Sequence, residues 1–308
     1  MLSKQFVQLV ESYDTIAVFR HLNPDGDALG SQLGMVLALR NRYPEKTVYL
    51  MGDNGHNFSI YDTMDVVEDL GTFLAIVTDS ATQERVEDQR FLAGDKIIKI
   101  DHHPEVDKYG DLQIVDTSRG SACEIVTDLL LDCGFEITPH NADILLSGIL
   151  TDTQKFTIEN TTSKTFFTAA HLLESGANIS ALNAAMFSQD VKTWQLRRRL
   201  QNEVQFTGAL AYAIIDQSIL DELNILDREA KIFVNMMAGI NEYNIWALFT
   251  QDETGAFNGS LRSRTHTISD LALEYNGGGH RLASGVKGLT PETMQELIEK
   301  LKETSLTK

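Results

Sequence analysis

Short apolar runs alternate with helical patterns along the first 115 residues of the chain. The apolar runs predict strands at Thr15–Phe19, Thr47–Met51, Phe73–Thr78, Lys96–Ile100 and Leu112–Val115. Residues 28–39 have apolar side chains at helical spacing, and residues 81–91 predict a more polar helix. This alternation predicts an α/β fold, with a mostly parallel sheet flanked by helices.

Helical patterns follow, and a change of pattern divides the chain. We predict helices opening at Ser121 and covering Asn141–Leu150, Ser163–Glu174 and Ile179–Phe187. Residues 189–206 are polar, include three consecutive arginines, and predict a helical linker. Beyond them we predict strands at Ala209–Ile215, Ile245–Thr250 and Ala256–Arg264, and helices at Arg228–Ile240, Ser269–Tyr275 and Pro291–Glu303. The expected organisation is a domain at 1–188, the linker, and a smaller α+β domain at 207–308.

Composition and charge limit the partners. The chain has 308 residues and a formal net charge of −18, from 26 basic and 44 acidic residues. Binding of long duplex nucleic acid depends largely on cationic contacts to phosphates, so we expect no such partner. A small phosphorylated substrate remains compatible with this charge, because a few local cations and metal ions can offset an acidic surface.

The sequence also bears on location. No apolar run approaches the roughly 18 residues that a membrane span needs, and the first 14 residues predict an amphipathic helix and no signal peptide. We therefore expect a cytoplasmic protein with no membrane partner. Cys123 and Cys133 lie on one predicted helix, where they are poorly placed to bridge each other, and we expect buried free thiols.

Potential metal ligands follow the ends of the predicted elements. Six residues share this position: His21, Asp25, Asp27, Asp79, His102 and Asp152. Because the carboxyl ends of parallel strands meet at one edge of an open α/β sheet, we expect these side chains to converge. Each has a simpler explanation as a turn residue or a helix cap, and it is their joint occurrence that favours a shared site.

Four carboxylates and two imidazoles suit two divalent cations that share a bridging carboxylate. The set lacks thiolates, which argues against structural zinc, and its oxygen-rich character favours manganese, with magnesium as the alternative. Two such ions about 3.5–4 Å apart can activate water and clamp phosphoryl oxygens. The predicted reaction is therefore hydrolysis of a phosphate ester.

Six strings, HLNPDGDALGS, VTDS, DHH, GILTDT, SLRSR and GGGH, occur in that order and resemble the motifs of the DHH phosphoesterase family with its associated C-terminal domain. The resemblance spans nearly the whole chain and implies a DHH catalytic domain at 1–188 and a DHH-associated substrate-binding domain at 207–308. The chain is most similar to a bacterial subgroup that degrades very short RNAs (nanoRNA) and linear dinucleotides such as pApA, and that removes the 3′ phosphate of pAp. A role in cyclic-di-AMP turnover is implied in the same way.

The resemblance also implies which residues hold the metals. One ion would be held by His21, Asp25 and Asp79. The other would be held by Asp27, Asp79, His102 and Asp152. Asp79 would then bridge the two ions.

Further roles are implied for residues around the phosphate. His103 would lie beside the scissile phosphate as a hydrogen-bond donor or proton carrier, and Asp101 would orient the histidines. The residues expected to contact substrate in the C-terminal domain are Arg262, Gly278, Gly279 and His280.

Charge in the C-terminal domain agrees with substrate binding there. The segment from Gly255 to Leu289 contains four basic and two acidic residues, which gives a net charge of 4 − 2 = +2 in an otherwise acidic chain. The alternative is that the glycines form a plain loop between a helix and a strand. Arg119 and Ser121 either face the phosphate or serve in helix capping.

Two other functions fit parts of the pattern. Related DHH proteins hydrolyse inorganic pyrophosphate or polyphosphate, although a lone Arg262 with a glycine-rich segment fits a nucleotide better. A non-catalytic nucleotide-binding module is the second alternative, but no ligand of the site is lost. Short oligonucleotides, pApA and pAp are the expected partners, and a homodimer through the N-terminal domain is compatible with the sequence.

Overall fold

The computed structural model describes residues 2–55 and 59–307. The chain forms two compact units, Met1–Ser188 and Gln189–Lys308. Residues 189–206, the segment with the linker pattern, contain helix α7 (Val191–Gln201) and the first residues of strand β6 (Val204–Thr207). In the described part of the chain, no helix has both the length and the apolarity needed to cross a membrane.

The first unit contains a five-stranded parallel sheet. Its strands are β1 (Thr15–Phe19), β2 (Thr47–Leu50), β3 (Leu74–Thr78), β4 (Lys96–Asp101) and β5 (Leu112–Val115). Their order in the sheet is β2-β1-β3-β4-β5, and every neighbouring pair is parallel. All five carboxyl ends therefore lie at the same edge, as the sequence predicts.

Helices and turns cover both faces of this sheet. The helices are α1 (Leu2–Glu11), α2 (Gly26–Arg42), α3 (Ala122–Asp132), α4 (Pro139–Asp152), α5 (Ser163–Glu174) and α6 (Ile179–Phe187). Ile16 and Val18 of β1 pack into a core with residues of α2, α3 and α4. Ala17 and Phe19 face the opposite side, where they pack near Phe91. Burial on both faces explains why the strands are continuous apolar runs in the sequence.

The helix predicted at residues 81–91 is wrong. This segment forms two 3₁₀ turns, Gln83–Arg85 and Gln89–Ala93. Between them Val86 is buried in an extended conformation and forms a backbone bridge with His21. The packing of Val86 against the end of β1 therefore prevents a continuous helix in this segment.

The second unit contains a six-stranded mixed sheet with helices on both faces. Its remaining strands are β7 (Leu210–Ile215), β8 (Ile245–Gln251), β9 (Phe257–Ser263), β10 (Gly278–His280) and β11 (Ala283–Leu289). Its remaining helices are α8 (Gln217–Leu223), α9 (Asp227–Lys231), α10 (Ser269–Glu274) and α11 (Pro291–Ser305). The strand order is β10-β11-β9-β8-β7-β6, with β7 and β8 parallel and the other pairs antiparallel.

One sequence prediction and one alternative fail in this unit. The helix predicted at Arg228–Ile240 stops after α9 and continues as a 3₁₀ turn at Ile232–Met237, because Phe233, Val234 and Met237 turn into the core beneath β8. The glycine-rich segment is not a plain loop, since Gly278–His280 pairs with β11 as a strand.

Candidate metal centre

The turn after β1 places three side chains at the carboxyl edge of the first sheet. The ring Nδ1 of His21 lies 2.9 Å from the carbonyl oxygen of Leu22. A carbonyl can only accept, so Nδ1 carries the proton and Nε2 is presented to the site. Asp25 caps α2, because its Oδ1 accepts hydrogen bonds from the backbone N–H groups of Asp27 and Ala28, both at 3.1 Å.

Asp79 occupies the centre of the site. It follows β3 in a left-handed conformation, with φ +53°, and its side chain is only 2% exposed. Its Oδ2 lies 3.4 Å from Nε2 of His21, and its Oδ1 lies 3.4 Å from Nε2 of His102. In the sheet, β2 lies on one side of β1, and β3, β4 and β5 follow on the other side. The strand order therefore reverses between β1 and β3, and open α/β sheets bind ligands at such a position.

Asp27, His102 and Asp152 form the other side of the site. Nε2 of His102 lies 3.3 Å from Oδ2 of Asp152 and 3.7 Å from Oδ2 of Asp27. Asp27 is fully buried, and its carboxylate accepts hydrogen bonds from the first two backbone N–H groups of α3, those of Ala122 (2.6 Å) and Cys123 (2.9 Å). The positive end of that helix stabilises the carboxylate.

Close packing of α2 against α4 brings Asp27 near Asp152. A Cβ on Gly30 of α2 would lie 2.9 Å from the carbonyl oxygen of Ile144, and a Cβ on Gly148 of α4 would lie 3.0 Å from the Cα of Asp27. Neither position leaves room for a larger residue. The glycines thus set the distance between the two helices that carry these carboxylates.

The six side chains form two groups with metal-ligand spacing. One group is His21, Asp25 and Asp79. The other is Asp27, His102 and Asp152. Within each group the ligand atoms lie within 4.8 Å of one another, and Asp79 contacts the imidazoles of both groups. The structure therefore brings together all six residues that the sequence singles out.

The electrostatics of this cluster are dominated by negative charge. Burial and repulsion by neighbouring carboxylates raise the pKa values of Asp27 and Asp152. Burial opposes a charge on His102, but the surrounding carboxylates raise its pKa to about 10. Burial also opposes ionisation of Asp79, yet the imidazoles of His102 and His21 hold its pKa well below the usual range. The four carboxylates of the cluster therefore outnumber its two imidazoles, the groups that could offset their charge.

Divalent cations fit this environment. Among the described residues, Oδ1 of Asp79 and Nε2 of His102 are buried without a hydrogen-bond partner. Buried polar atoms are normally satisfied, so two orphaned ligand atoms facing each other indicate a missing partner. Cations would satisfy both atoms and neutralise the carboxylates, and the donor set of oxygens and imidazoles suits such ions.

A buried lysine, Lys99, lies beside the segment Asp101 to His103, and its sequence pattern predicts no role for it. Oδ1 of Asp101 accepts hydrogen bonds from Nδ1 of His103 (2.9 Å) and from the backbone N–H of His102 (2.9 Å). Nζ of Lys99 lies 3.5 Å from Oδ2 of Asp101, and both side chains are fully buried. Nζ also donates to the carbonyl oxygen of Ala81 (3.0 Å), beyond Asp79. The one sequence signal for Lys99 is a charge inside an apolar strand.

In the second unit, Arg262 is a half-buried cation on β9. Its Nη1 donates to the carbonyl oxygen of Leu261 at 2.8 Å. Burial lowers its pKa, and no carboxylate of the described residues lies within 4.0 Å of its guanidinium. Gly279 has φ +137° and a Cβ there would lie 2.5 Å from the carbonyl oxygen of Ala283, so glycine is required. Gly278 and His280 flank it on β10.

Arg119 and Ser121 have structural partners. Arg119 forms ion pairs with Asp116, Glu124 and Asp128. The hydroxyl of Ser121 is fully buried and accepts a hydrogen bond from the N–H of Glu124 at 3.2 Å, which caps α3. The contact of Ser121 is the capping arrangement that the sequence left as one of two alternatives, and a contact of Arg119 or Ser121 with phosphate stays a prediction.

Residues 15–149 match the DHH family, N-terminal domain, and residues 208–305 match the DHHA1 domain. The chain therefore belongs to the DHH family, whose members are metal-dependent phosphoesterases, and it is an enzyme of that class. The resemblance indicated by the six ordered motifs is confirmed.

Two curated relatives match over most of the chain. A probable bifunctional oligoribonuclease and PAP phosphatase NrnA from Streptococcus mutans is 38% identical over 303 residues, covering 97% of each chain. The bifunctional oligoribonuclease and PAP phosphatase NrnA from Bacillus subtilis is 34% identical over 290 residues, covering 92% of each chain. Among solved structures, an exopolyphosphatase-related protein from Bacteroides fragilis has a TM-score of 0.84 at 22% identity, covering 98% of this chain and 95% of that chain, and it shares the fold.

Proposed function

We propose that this protein is a two-metal phosphodiesterase that hydrolyses very short oligonucleotides and linear dinucleotides such as pApA to nucleoside monophosphates, and pAp to AMP. The observation that carries the proposal is the placement of Asp79 between two groups of metal-type ligands. The names of the two NrnA relatives support the substrate class. Manganese is the proposed metal, with magnesium as the alternative, because the ligands are oxygens and imidazoles.

Six residues would hold the ions in this proposal. His21, Asp25 and Asp79 would bind one ion, and Asp27, Asp79, His102 and Asp152 the other. Bound divalent cations would supply Lewis-acid stabilisation of the phosphoryl oxygens and activation of water. Asp27 is held in place by two backbone N–H groups, so its carboxylate is positioned for an ion before substrate binds.

The remaining residues would orient the phosphate and move a proton. Asp101 accepts the Nδ1 proton of His103, which leaves Nε2 to exchange a proton with the substrate. Arg262 would grip a second phosphate through its planar guanidinium. Gly278, Gly279 and His280 would contact the same part of the substrate through backbone and imidazole groups.

The proposal includes a role in cyclic-di-AMP turnover. The enzyme would act in the cytoplasm and would hydrolyse the pApA that forms when cyclic-di-AMP is opened. Assembly into a homodimer also belongs to the proposal, and the molar mass of the purified protein in solution would test it.

A substrate panel tests the proposed function. The purified protein is assayed with manganese, and with a chelator, on pApA, pAp, a five-residue RNA, a long RNA, cyclic-di-AMP and pyrophosphate. We expect AMP from pApA and pAp, shortening of the five-residue RNA, and no turnover with the chelator. Release of phosphate from pyrophosphate alone would instead establish a pyrophosphatase. Tight binding of pApA without cleavage would establish a nucleotide-binding module.

A further inference from the structure

Two buried tyrosines donate hydrogen bonds to backbone carbonyl groups next to the proposed metal ligands. Tyr61 is 7% exposed, and its hydroxyl donates to the carbonyl oxygen of Gly26 at 3.0 Å. Tyr109 is 5% exposed, and its hydroxyl donates to the carbonyl oxygen of Ser80 at 2.9 Å. Neither tyrosine belongs to the six motif strings of the sequence. Only the folded chain brings them to the metal centre.

The hydroxyl of Tyr61 lies where two helices that carry ligands meet. Gly26 is the first residue of α2 and lies between Asp25 and Asp27 in the chain. The same hydroxyl lies 2.8 Å from Oγ of Ser147 on α4, the helix whose last residue is a proposed ligand. All three contacting groups are buried. One hydroxyl therefore connects the start of α2 to α4 at the backbone between two ligands.

The hydroxyl of Tyr109 lies behind the central ligand. Ser80 follows Asp79, whose φ of +53° is in the left-handed region. The chain leaves β3 at this point, so the carbonyl groups of the next residues need partners outside the strand. Tyr109 is the partner of the first, and Nζ of Lys99 donates to the second, the carbonyl oxygen of Ala81, at 3.0 Å. Two side chains thus hold the turn that carries Asp79.

A tyrosine hydroxyl suits these positions electrostatically. The six proposed ligands already comprise four carboxylates and two imidazoles, and another charge beside them would alter their affinity for cations. A phenol is neutral at physiological pH and donates one hydrogen bond. Phenylalanine would fill nearly the same space, so packing alone does not require the hydroxyl. The two hydroxyl groups hold the backbone without changing the charge that bound cations would balance.

We propose that Tyr61 and Tyr109 are positioning residues for the metal centre, whose hydroxyl groups set the separation of the ligands on α2, on α4 and after β3 before cations bind. The inference rests on the proposed two-metal site and extends it to residues that act through the backbone. Side chains that hold metal ligands in place typically change metal affinity by about 10–100-fold. The alternative is that the hydroxyls only satisfy buried carbonyl groups, which predicts a loss of stability with unchanged metal affinity.

Tyr61→Phe and Tyr109→Phe test the proposal by removing only the hydroxyl groups. Binding of Mn²⁺ alone is measured by electron paramagnetic resonance, without substrate and well below the melting temperature. Tyr43→Phe is the matched control, since Tyr43 lies at the opposite end of α2 and its hydroxyl contacts Glu11 at an exposed position. Thr138→Ala, which removes the cap at the start of α4, controls for a loss of stability away from the site.

We expect the wild-type protein to bind two Mn²⁺ ions, and each of the two site variants to bind the weaker ion about tenfold less tightly. For these variants, kcat on pApA should fall at low Mn²⁺ and recover when Mn²⁺ is raised, with KM for pApA unchanged and a melting temperature near that of Thr138→Ala. Both control variants should bind Mn²⁺ like the wild type.

Two results would contradict the proposal in different ways. Wild-type Mn²⁺ affinity in Tyr61→Phe or Tyr109→Phe would overturn the positioning role of that tyrosine and leave the proposed function standing. An equal loss of affinity in Thr138→Ala would assign the effect to stability and overturn the role of both. Fewer than two bound ions in the wild-type protein would overturn the two-metal function itself, and the positioning role with it.

Discussion

The carboxyl edge of the first sheet and the open face of β9 to β11 differ in what they are made of. The first is built from buried, charged side chains, of which Asp79 is 2% exposed and Asp27 is fully buried. The second is built from backbone, empty space and exposed or half-buried cations such as Arg262 and Lys287. Replacing one side chain should therefore strongly lower activity at the first site. At the second site, activity should depend on the open space beside the glycines and on the positive charge.

The largest effect is expected from Asp79→Asn. The change removes the charge shared by both ligand groups, so kcat with manganese should fall roughly a thousandfold or more, which corresponds to several kcal/mol of lost charge stabilisation. Asparagine tolerates the left-handed backbone at this position, so the fold should persist. Steady-state assays on pApA measure the loss.

Asp62→Asn is the control for this variant, since Asp62 is exposed and lies outside the ligand groups. It should retain full activity. Wild-type kcat in Asp79→Asn would show that the first site does not depend on the identity of its central side chain.

Next in size is the effect of Lys99→Met on stability. The ammonium group is fully buried with Asp101, and removing one partner of a buried ion pair costs about 3–5 kcal/mol. The free energy of unfolding measured in urea should fall by that amount, with a lower midpoint, and activity should be lost because Asp101 anchors His103.

Lys96→Met provides the comparison on the same strand. Lys96 pairs with Asp111, but both side chains are largely exposed, so its loss should leave the urea midpoint nearly unchanged. Equal shifts in the two variants would contradict the special role assigned to burial at Lys99.

A smaller effect is expected from Arg262→Gln. Losing the charge-assisted hydrogen bonds to a phosphate, worth about 2 kcal/mol, should lower kcat/KM for pApA about thirtyfold, mainly through KM. Arg262→Lys should recover only part of this, because an ammonium group cannot form the forked contact. Arg228→Gln, at an exposed arginine with no ion-pair partner among the described residues, should behave as the wild type. A change in kcat alone would place Arg262 outside substrate binding.

The smallest effect is expected from Ser121→Ala. Loss of the α3 cap should cost about 1 kcal/mol of stability without changing KM, because the hydroxyl is buried and bonded to the N–H of Glu124. Thr138→Ala removes a comparable cap from α4 and should have a similar effect. A KM increase in Ser121→Ala, absent from Thr138→Ala, would favour the phosphate-contact alternative.

Sequence patterns predict the first site well for physical reasons. The strands buried on both faces, such as β3, are continuous apolar runs, and their ends differ from the structure by a residue or so. Candidate ligands that directly follow a strand, such as Asp79, are brought to one edge by the parallel arrangement, whereas Asp152, at the end of α4, is brought there by the packing of α2 against α4. Lys99 is the exception, because its burial depends on the Ala81 carbonyl as well as on Asp101, and only the folded chain brings that carbonyl near it.

The second site is harder to predict because its strands carry little local signal. Strand β11 contains two glycines and two other small residues, and it is stabilised by pairing with β9. Strand β10 has only three residues, two of them glycine. Such segments have weak strand propensity of their own, so pairing between distant segments determines their structure. An open cavity leaves no positive pattern in a sequence at all.

The most direct test of the central claim is anomalous diffraction from crystals of the protein grown with manganese. Two anomalous peaks about 3.5–4 Å apart, with the carboxylate of Asp79 between them, are the predicted result. One of those peaks should be contacted by His21 and the other by His102. A single peak, or peaks that avoid Asp79, would contradict a two-metal phosphodiesterase built on this edge of the sheet.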